Sequence, residues 1–310
     1  MQNIIIDTDP GKDDFLAILM LILSKQVNIK AITTVMGNSS IRNVTANAKY
    51  LLDITSSQIQ LYPGAKKPLK SPLVLGQVMG STGLDGIKVP KISKVKNLAS
   101  SQIISLINQD PDNISILALG PQTNLAMALN KDKNLAKKIM SIVFMGGAIT
   151  APGNKNRVAE FNYFIDPEAA KIVMESRVPK IMIPLDLCYQ VPLFIEDFYK
   201  LEGSKYGIII NKLMKPYIKA MAKYEEQKGA IVYDALAAYY LLNPDAFTLT
   251  PMDIVVETKG EFTKGMCVQN RSLSAKTNIM VATDIDKQQF KNDFIKIINS
   301  SKKINHDQNT

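Results

Sequence analysis

The chain has no tryptophan and one histidine, His306, which lies in a polar stretch at its end. No imidazole is therefore on hand among the apolar segments, and His306 is not a catalytic candidate. Cysteine is nearly absent too. Cys188 and Cys267 permit one bridge at most, so no disulfide framework is expected and a reduced, cytoplasmic setting is the default. Long apolar runs are missing. The longest, near 15–23, is too short to cross a bilayer. Strand signal already begins at residue 4, which leaves no room for a signal peptide. A concentrated basic block is also lacking. The formal net charge is +9, but the lysines are scattered and not interleaved with aromatics. That pattern points away from a nucleic-acid partner and describes a solvated surface, whose field helps to draw in anionic metabolites. No internal repeat, low-complexity tract or linker interrupts the chain.

What is present is ordinary globular material. A chain of 310 residues with 46% apolar and 21% charged content can bury a large core. Strand and helix signals alternate. Residues 28–35, 59–62, 113–119, 141–145 and 180–185 read as strands; 41–52, 98–108 and a segment opening near Thr123 read as helices. Asp166-Pro167-Glu168 opens a further helix with an N-cap and a proline in the first turn. The second half changes character. Residues 194–202, 205–226 and 230–242 read as helices, later strands fall near 254–257, 263–268 and 277–281, and 290–298 is a closing helix. Repeated strand–helix units with short turns predict an α/β fold: a doubly wound, mostly parallel central sheet with flanking helices and a helical elaboration in the second half. Residues 1–299 read as one domain and 300–310 as a polar, disordered tail. The stretch 63–90 is rich in proline and glycine and has no period. So long a structureless segment in a compact domain reads as a functional loop.

The chain is organised around Asp7-Thr8-Asp9-Pro10-Gly11-Lys12-Asp13-Asp14. An apolar run, Ile4-Ile5-Ile6, precedes it and another, from Phe15, follows. This is a strand, a Pro10-Gly11 turn and a helix. The carboxylates thus sit at the carboxyl end of a strand, where open α/β sheets bind ligands. Asp7 and Asp9, two apart, lean to one side if the strand continues. Asp13 and Asp14 open the helix, where the macrodipole favours negative charge. Acids this crowded repel one another and take up protons unless a cation neutralises them. The donor set is hard oxygen alone, which suits Ca²⁺, Mg²⁺ less well, and not zinc. A solvated acidic turn capping a helix is the plain alternative, but apolar residues flank the acids tightly on both sides.

This stretch resembles the signature of the nucleoside hydrolase family, inosine-uridine preferring type: Asp-x-Asp-Pro-Gly-x-Asp-Asp opening the first helix. The Asp-x-Asp-x-Thr of haloacid-dehalogenase-type phosphatases is a poorer match, because Gly11 stands at its fifth position. Further runs are similar to the same family, in order, over residues 3 to about 299. Thr33-Thr34-Val35-Met36-Gly37-Asn38 resembles its Thr-Thr-Val-x-Gly-Asn and puts Asn38 by the ribose. Leu119-Gly120-Pro121-Gln122-Thr123-Asn124-Leu125-Ala126 is similar to its Gly-Pro-Leu-Thr-Asn-Leu-Ala turn. The resemblance makes the Leu119 carbonyl a calcium ligand, while Thr123 and Asn124 read as plain helix caps.

A third run comprises Met145-Gly146-Gly147-Ala148, Pro152-Gly153-Asn154 and Ala159-Glu160-Phe161-Asn162. By resemblance Met145 belongs to the substrate site, Asn154 and Glu160 hold the ribose 5′-hydroxyl, and Asn162 and Asp13 hold the 2′ and 3′ side. Glu160 and Asn162 project the same way if extended. Asp166 and Glu168 read as helix N-terminal residues. The fourth run, Val232-Tyr233-Asp234-Ala235-Leu236-Ala237, carries Asp234, which by resemblance reaches both metal and ribose. An aspartate inside the otherwise apolar 230–242 helix is costly unless paired. Asp186 looks like a supporting residue of the same site.

The resemblance implies calcium-dependent hydrolysis of the N-glycosidic bond of ribonucleosides, in purine or pyrimidine salvage, by a homodimer or homotetramer. The transition state resembles a ribosyl oxocarbenium ion. The metal ligands would be Asp9, Asp14, the Leu119 carbonyl and Asp234, with Asp9 also the base that takes a proton from water. Two positions depart from the family. Many relatives have a histidine just before the last metal aspartate, to protonate the departing base; here that residue is Tyr233. Met79 stands where many carry a loop histidine. A phenol is a weaker acid than imidazolium near neutral pH. Tyr233 is expected to protonate the base or stack on it, with Tyr224 and Tyr240 as lesser candidates, and with a shifted base preference or slow turnover. Hydrolysis of another ribosyl compound, and metal-dependent ribose binding without catalysis, stay open.

Overall fold

The structure, a computed structural model, describes residues 1–272 and 274–301. His306 and the rest of the tail beyond Ser301 lie outside the described residues. The first strand, β1 (Gln2–Thr8), is buried from Ile4 onward. Its side chains alternate between two cores: Ile4 and Ile6 pack on one face of the sheet, Ile5 on the other. A strand buried on both faces shows no polar alternation, which is why this segment is a continuous apolar run.

The chain continues through α1 (Lys12–Ser24), β2 (Val27–Thr34), α2 (Ile41–Ile54) and β3 (Gln60–Pro63). After a long loop come α3 (Ala99–Gln109), β4 (Ile114–Ala118), α4 (Thr123–Lys131) and β5 (Ser141–Met145). Next are α5 (Phe161–Ile165), α6 (Pro167–Glu175), β6 (Lys180–Ile183), α7 (Leu185–Cys188), β7 (Pro192–Leu193), α8 (Ile195–Tyr199) and α9 (Gly207–Tyr224). The last elements are β8 (Ala230–Ile231), α10 (Tyr233–Leu242), β9 (Phe247–Met252), β10 (Ile254–Val256), β11 (Cys267–Gln269), β12 (Ile279–Ile285) and α11 (Lys287–Asn299).

Eight strands form one sheet in the order β3-β2-β1-β4-β5-β6-β12-β9. Every neighbouring pair is parallel except β12 with the edge strand β9. The order reverses between β1 and β4, so the connections leaving their carboxyl ends diverge and open a crevice. Helix α1 is buried from Lys12 to Leu21 and packs against α10. A helix apolar all round belongs in an interior. Helices α3, α4 and α6 cover the opposite face.

Several segments depart from the sequence-based expectation. The expected 230–242 helix begins only at Tyr233, because Ala230–Ile231 pairs with Pro192–Leu193. Asp234 therefore stands in the first helical turn, where the macrodipole lessens the cost of its charge. Residues 161–165 are helical with Glu160 as N-cap, so Glu160 and Asn162 do not project together as on a strand. Asp186 lies on the helical turn α7 instead of ending a strand. The strand expected at 263–268 shrinks to Cys267–Gln269. The antiparallel β9 has no counterpart among the expected strands; it carries Pro251, whose missing N–H only an edge strand tolerates.

The loop between β3 and α3 contains neither helix nor strand, as expected for 63–90. It is held down by donors on the frame. Lys12 Nζ donates to the Met79 carbonyl (2.5 Å), Asn47 Nδ2 to that of Thr82 (2.8 Å) and Ser39 Oγ to that of Ser81 (2.8 Å). The Gly76 amide donates to the Gly37 carbonyl (2.9 Å).

Candidate active site

Asp9 follows β1 directly and is buried. Its Oδ2 accepts from the Asn38 amide at 2.6 Å. Two glycines make room for it: a Cβ on Gly37 would fall 2.0 Å from Asp9 Oδ2, and one on Gly120 2.6 Å from Oδ1. Asp14 accepts from Thr8 Oγ1, the Gly11 amide (2.9 Å) and Asn38 Nδ2 (3.1 Å). Asn38 thus ties Asp9 and Asp14 together across the β1 and β2 ends.

Carboxylate oxygens of Asp13, Asp14 and Asp234 lie within 4.8 Å of one another, and all three residues are buried. Asp13 Oδ1 has no hydrogen-bond partner. Among the described residues no cationic side chain pairs with any of the three. Burial pushes the proton affinity of all three, and of Asp9, above the usual carboxylate range; for Asp9, Asp13 and Asp234 neighbouring carboxylates raise it further. An orphaned buried oxygen among all-oxygen donors fits a hard divalent cation.

The residues that the resemblance assigns to the ribose gather at the β4 and β5 ends. Asn162 Nδ2 donates to the Leu119 carbonyl (2.8 Å), which keeps a second lone pair for another partner. The Glu160 carboxylate accepts from the amides of Asn162 (2.8 Å), Gly147 (3.1 Å) and Tyr163 (3.2 Å). Burial nonetheless pushes it up to about 7. Asn154 Oδ1 accepts from the Phe161 amide (2.9 Å), closing the intervening loop. Asp9, Asp13, Asn38, Leu119, Met145, Asn154, Glu160, Asn162, Tyr233 and Asp234 all line a single cavity. Asp14 sits at its margin, against Asp13 and Asp234.

Other expectations need correction. Asp7 does not join the cluster. Its carboxylate accepts from Thr33 Oγ1 (2.6 Å) and Asn124 Nδ2 (2.8 Å) inside the sheet, and burial raises it to about 6. Thr123 and Asn124 are not helix caps. Asn124 also donates to the Thr34 carbonyl (2.9 Å) and accepts from the Ala65 amide (2.9 Å), while Thr123 Oγ1 donates to Asp166 (2.6 Å). Buried carboxylates need these donors more than a helix end needs a cap. Asp186 does not line the cavity; it accepts from the amides of Ile149, Thr150 and Ala151 and shapes the turn after β5.

Outside the 63–90 loop, three lining residues lie beyond the sequence-based expectation: Lys155, Phe161 and Glu225. The first two fall inside runs that carry other site residues. Glu225 carries no sequence signal, being one of two adjacent glutamates in a lysine-flanked polar stretch. It is the C-cap of α9, and the Tyr233 hydroxyl donates to it. Burial pushes it up to about 7, against the hydrogen bonds from Tyr233 and Asn154.

The sheet order and the cavity define a class: a doubly wound α/β protein with an acid- and amide-lined small-molecule site at its switch point. The model of the inosine-uridine preferring nucleoside hydrolases matches residues 4–292, and the chain belongs to that family. It is 33% identical over 299 residues to the pyrimidine-specific ribonucleoside hydrolase of Citrobacter koseri, covering 93% of this chain and 95% of that protein. It superposes on a plant nucleoside hydrolase with a TM-score of 0.89 at 28% identity, covering 96% of this chain and 99% of that one. For the purine-preferring ribonucleoside hydrolase from Gardnerella vaginalis the TM-score is 0.89 at 27% identity, with 96% and 98% covered. Family membership makes the protein an N-ribohydrolase, acting on the N-glycosidic bond of ribonucleosides. No helix among the described residues is long and apolar enough to cross a membrane.

Proposed function

We propose that this N-ribohydrolase depends on calcium, held by Asp9, Asp14, the Leu119 carbonyl and Asp234, with Asp13 beside it. The observation that carries the reading is the buried trio of Asp13, Asp14 and Asp234, within 4.8 Å and with no cationic partner among the described residues. When bound, the ion would offset that charge and lower the pKa of a coordinated water. Asp9 takes the water's proton; burial and the charge of Asp14 raise its proton affinity, which suits a base. Asp13, Asn38, Met145, Asn154, Glu160 and Asn162 line the same cavity and position the ribose, the anomeric carbon facing the attacking water. Tyr233 belongs to the nucleobase side.

Similar proteins include a pyrimidine-specific and a purine-preferring hydrolase, so base preference is left to assay. A cytoplasmic homodimer or homotetramer in nucleoside salvage fits this activity. The test is ribose released from a panel of purine and pyrimidine ribonucleosides, with calcium, with chelator, and with calcium restored. Turnover that disappears with chelator and returns with calcium is expected. Turnover indifferent to chelator would overturn the calcium assignment. Binding without release on every substrate would select a ribose-binding role, and release only from another ribosyl compound would redirect the substrate class.

A further inference from the structure

One carboxyl group in the cavity has no task in this scheme. Glu225 ends α9, and Glu226, at φ 55°, reverses the chain there, with Glu225 lining the cavity. Three segments position its carboxyl group. The Tyr233 hydroxyl donates to Glu225 Oε2 from α10. Asn154 reaches it from the loop after β5. Tyr189, following α7, meets the Tyr233 ring edge-on, with centroids 6.4 Å apart. No hydrogen bond links Glu225 to the four proposed ion ligands.

This arrangement counts against Tyr233 as the proton donor. Its hydroxyl hydrogen is already committed to Glu225. A hydroxyl hydrogen held in that bond is not free for a leaving base. The carboxyl beside it lines the cavity, and burial pushes it up to about 7, where a general acid is most effective. The other titratable groups facing it are Tyr189, Glu160, Asp13 and Tyr217, with Tyr224 and Lys155 lining the same cavity.

Resting on the N-ribohydrolase reading, we propose that Glu225 protonates the departing nucleobase and that Tyr233 is the positioning residue that orients it. As the C1′–N bond breaks, its electron pair passes to the base, which takes the Glu225 proton and leaves that carboxyl ionised. Water adds to C1′ and gives its proton to Asp9. Solvent exchange then returns one proton to Glu225 and removes one from Asp9, so the net reaction consumes water alone.

The test compares Glu225→Gln and Tyr233→Phe on inosine and uridine against p-nitrophenyl riboside, whose leaving group needs no proton. Glu225→Gln is expected to lower kcat on the nucleosides by about 10²–10³-fold, and by at least tenfold less on p-nitrophenyl riboside. Tyr233→Phe is expected to cost less than Glu225→Gln on nucleosides. The wild-type kcat on nucleosides falls as pH rises past about 7, and Glu225→Gln removes that limb. Equal losses on both substrate types, a limb that survives in Glu225→Gln, or a Tyr233→Phe loss as large as that of Glu225→Gln would each overturn the assignment. If Glu225→Gln fails to fold, Glu225→Asp takes its place in the leaving-group comparison. A wild-type protein inactive on nucleosides and on p-nitrophenyl riboside alike would defeat the hydrolase reading itself, and this proposal with it.

Discussion

Replacing Asp234 by asparagine should move stability in opposite directions with and without calcium. Two unit charges 4.8 Å apart repel by roughly 3.5 kcal/mol at an effective dielectric of about 20. Partial protonation, promoted by burial of all three acids, trims this to on the order of 1–2 kcal/mol at neutral pH. In chelator, Asp234→Asn relieves that repulsion and melts a few degrees above the wild type. Calcium at about 100 times its Kd stabilises the wild type by about 2.7 kcal/mol, which is roughly 4 °C in Tm for a chain of this size. The variant, with one charged donor fewer, gains less than about a fifth of that by the same linkage. Its curve therefore lies above the wild type in chelator and below it in calcium. Differential scanning calorimetry in both buffers reads the crossing. A change of the same sign in both buffers, or an undiminished calcium shift in the variant, would refute the claim that these carboxylates form the cation site.

Three other outcomes follow from the geometry. Asn124→Ala strips a donor from Asp7 and leaves the Ala65 amide and the Thr34 carbonyl without their partner; urea unfolding should show a loss of about 2–4 kcal/mol, and a loss under about 1 kcal/mol would contradict a structural role. Asp7 is held up to about 6 from 3.8, so the stability linked to it is full below about 3.8 and is lost as pH rises through about 6. Unfolding at several pH values should show Asp7→Asn gaining about 2 kcal/mol on the wild type between pH 4 and pH 7.5, and parallel curves would exclude the raised value. Gly37→Ala would drive a methyl group to 2.0 Å from Asp9 Oδ2; displacing the proposed base by even an ångström should cost about 10²-fold in kcat, and a near-normal rate would show that Asp9 need not stand there.

The parallel sheet is legible in the sequence because strands buried on both faces are short apolar runs closed by Pro-Gly, Gly-Asn, Gly-Pro or Gly-Gly turns. The cavity is legible where its lining follows a strand, as Asp9, Asn38 and Leu119 do, or closes one, as Met145 does. What escapes depends on contacts between segments far apart in the chain. Asn124 stands where a helix cap would, and only the folded sheet reveals that it serves Asp7 and Thr34. Glu225 and Glu226 look alike as letters; the backbone reversal at Glu226 separates their fates. Asp234 reads as mid-helix because the apolar residues before it, Ala230 to Val232, fit a helix as well as the short pairing with β7.

The segment covering the cavity is fastened through its backbone. Lys12, Ser39 and Asn47 take hold of carbonyl groups at Met79, Ser81 and Thr82, and the amide of Gly76 does the same to Gly37. Peptide groups are common to all residues, so the fastening is blind to the side chains it carries. Gln77, Val78 and Met79, which line the cavity, can be rewritten while the clasp holds. Chassis and upholstery are separate here: the lining at those three positions can be recut while the three anchors stay.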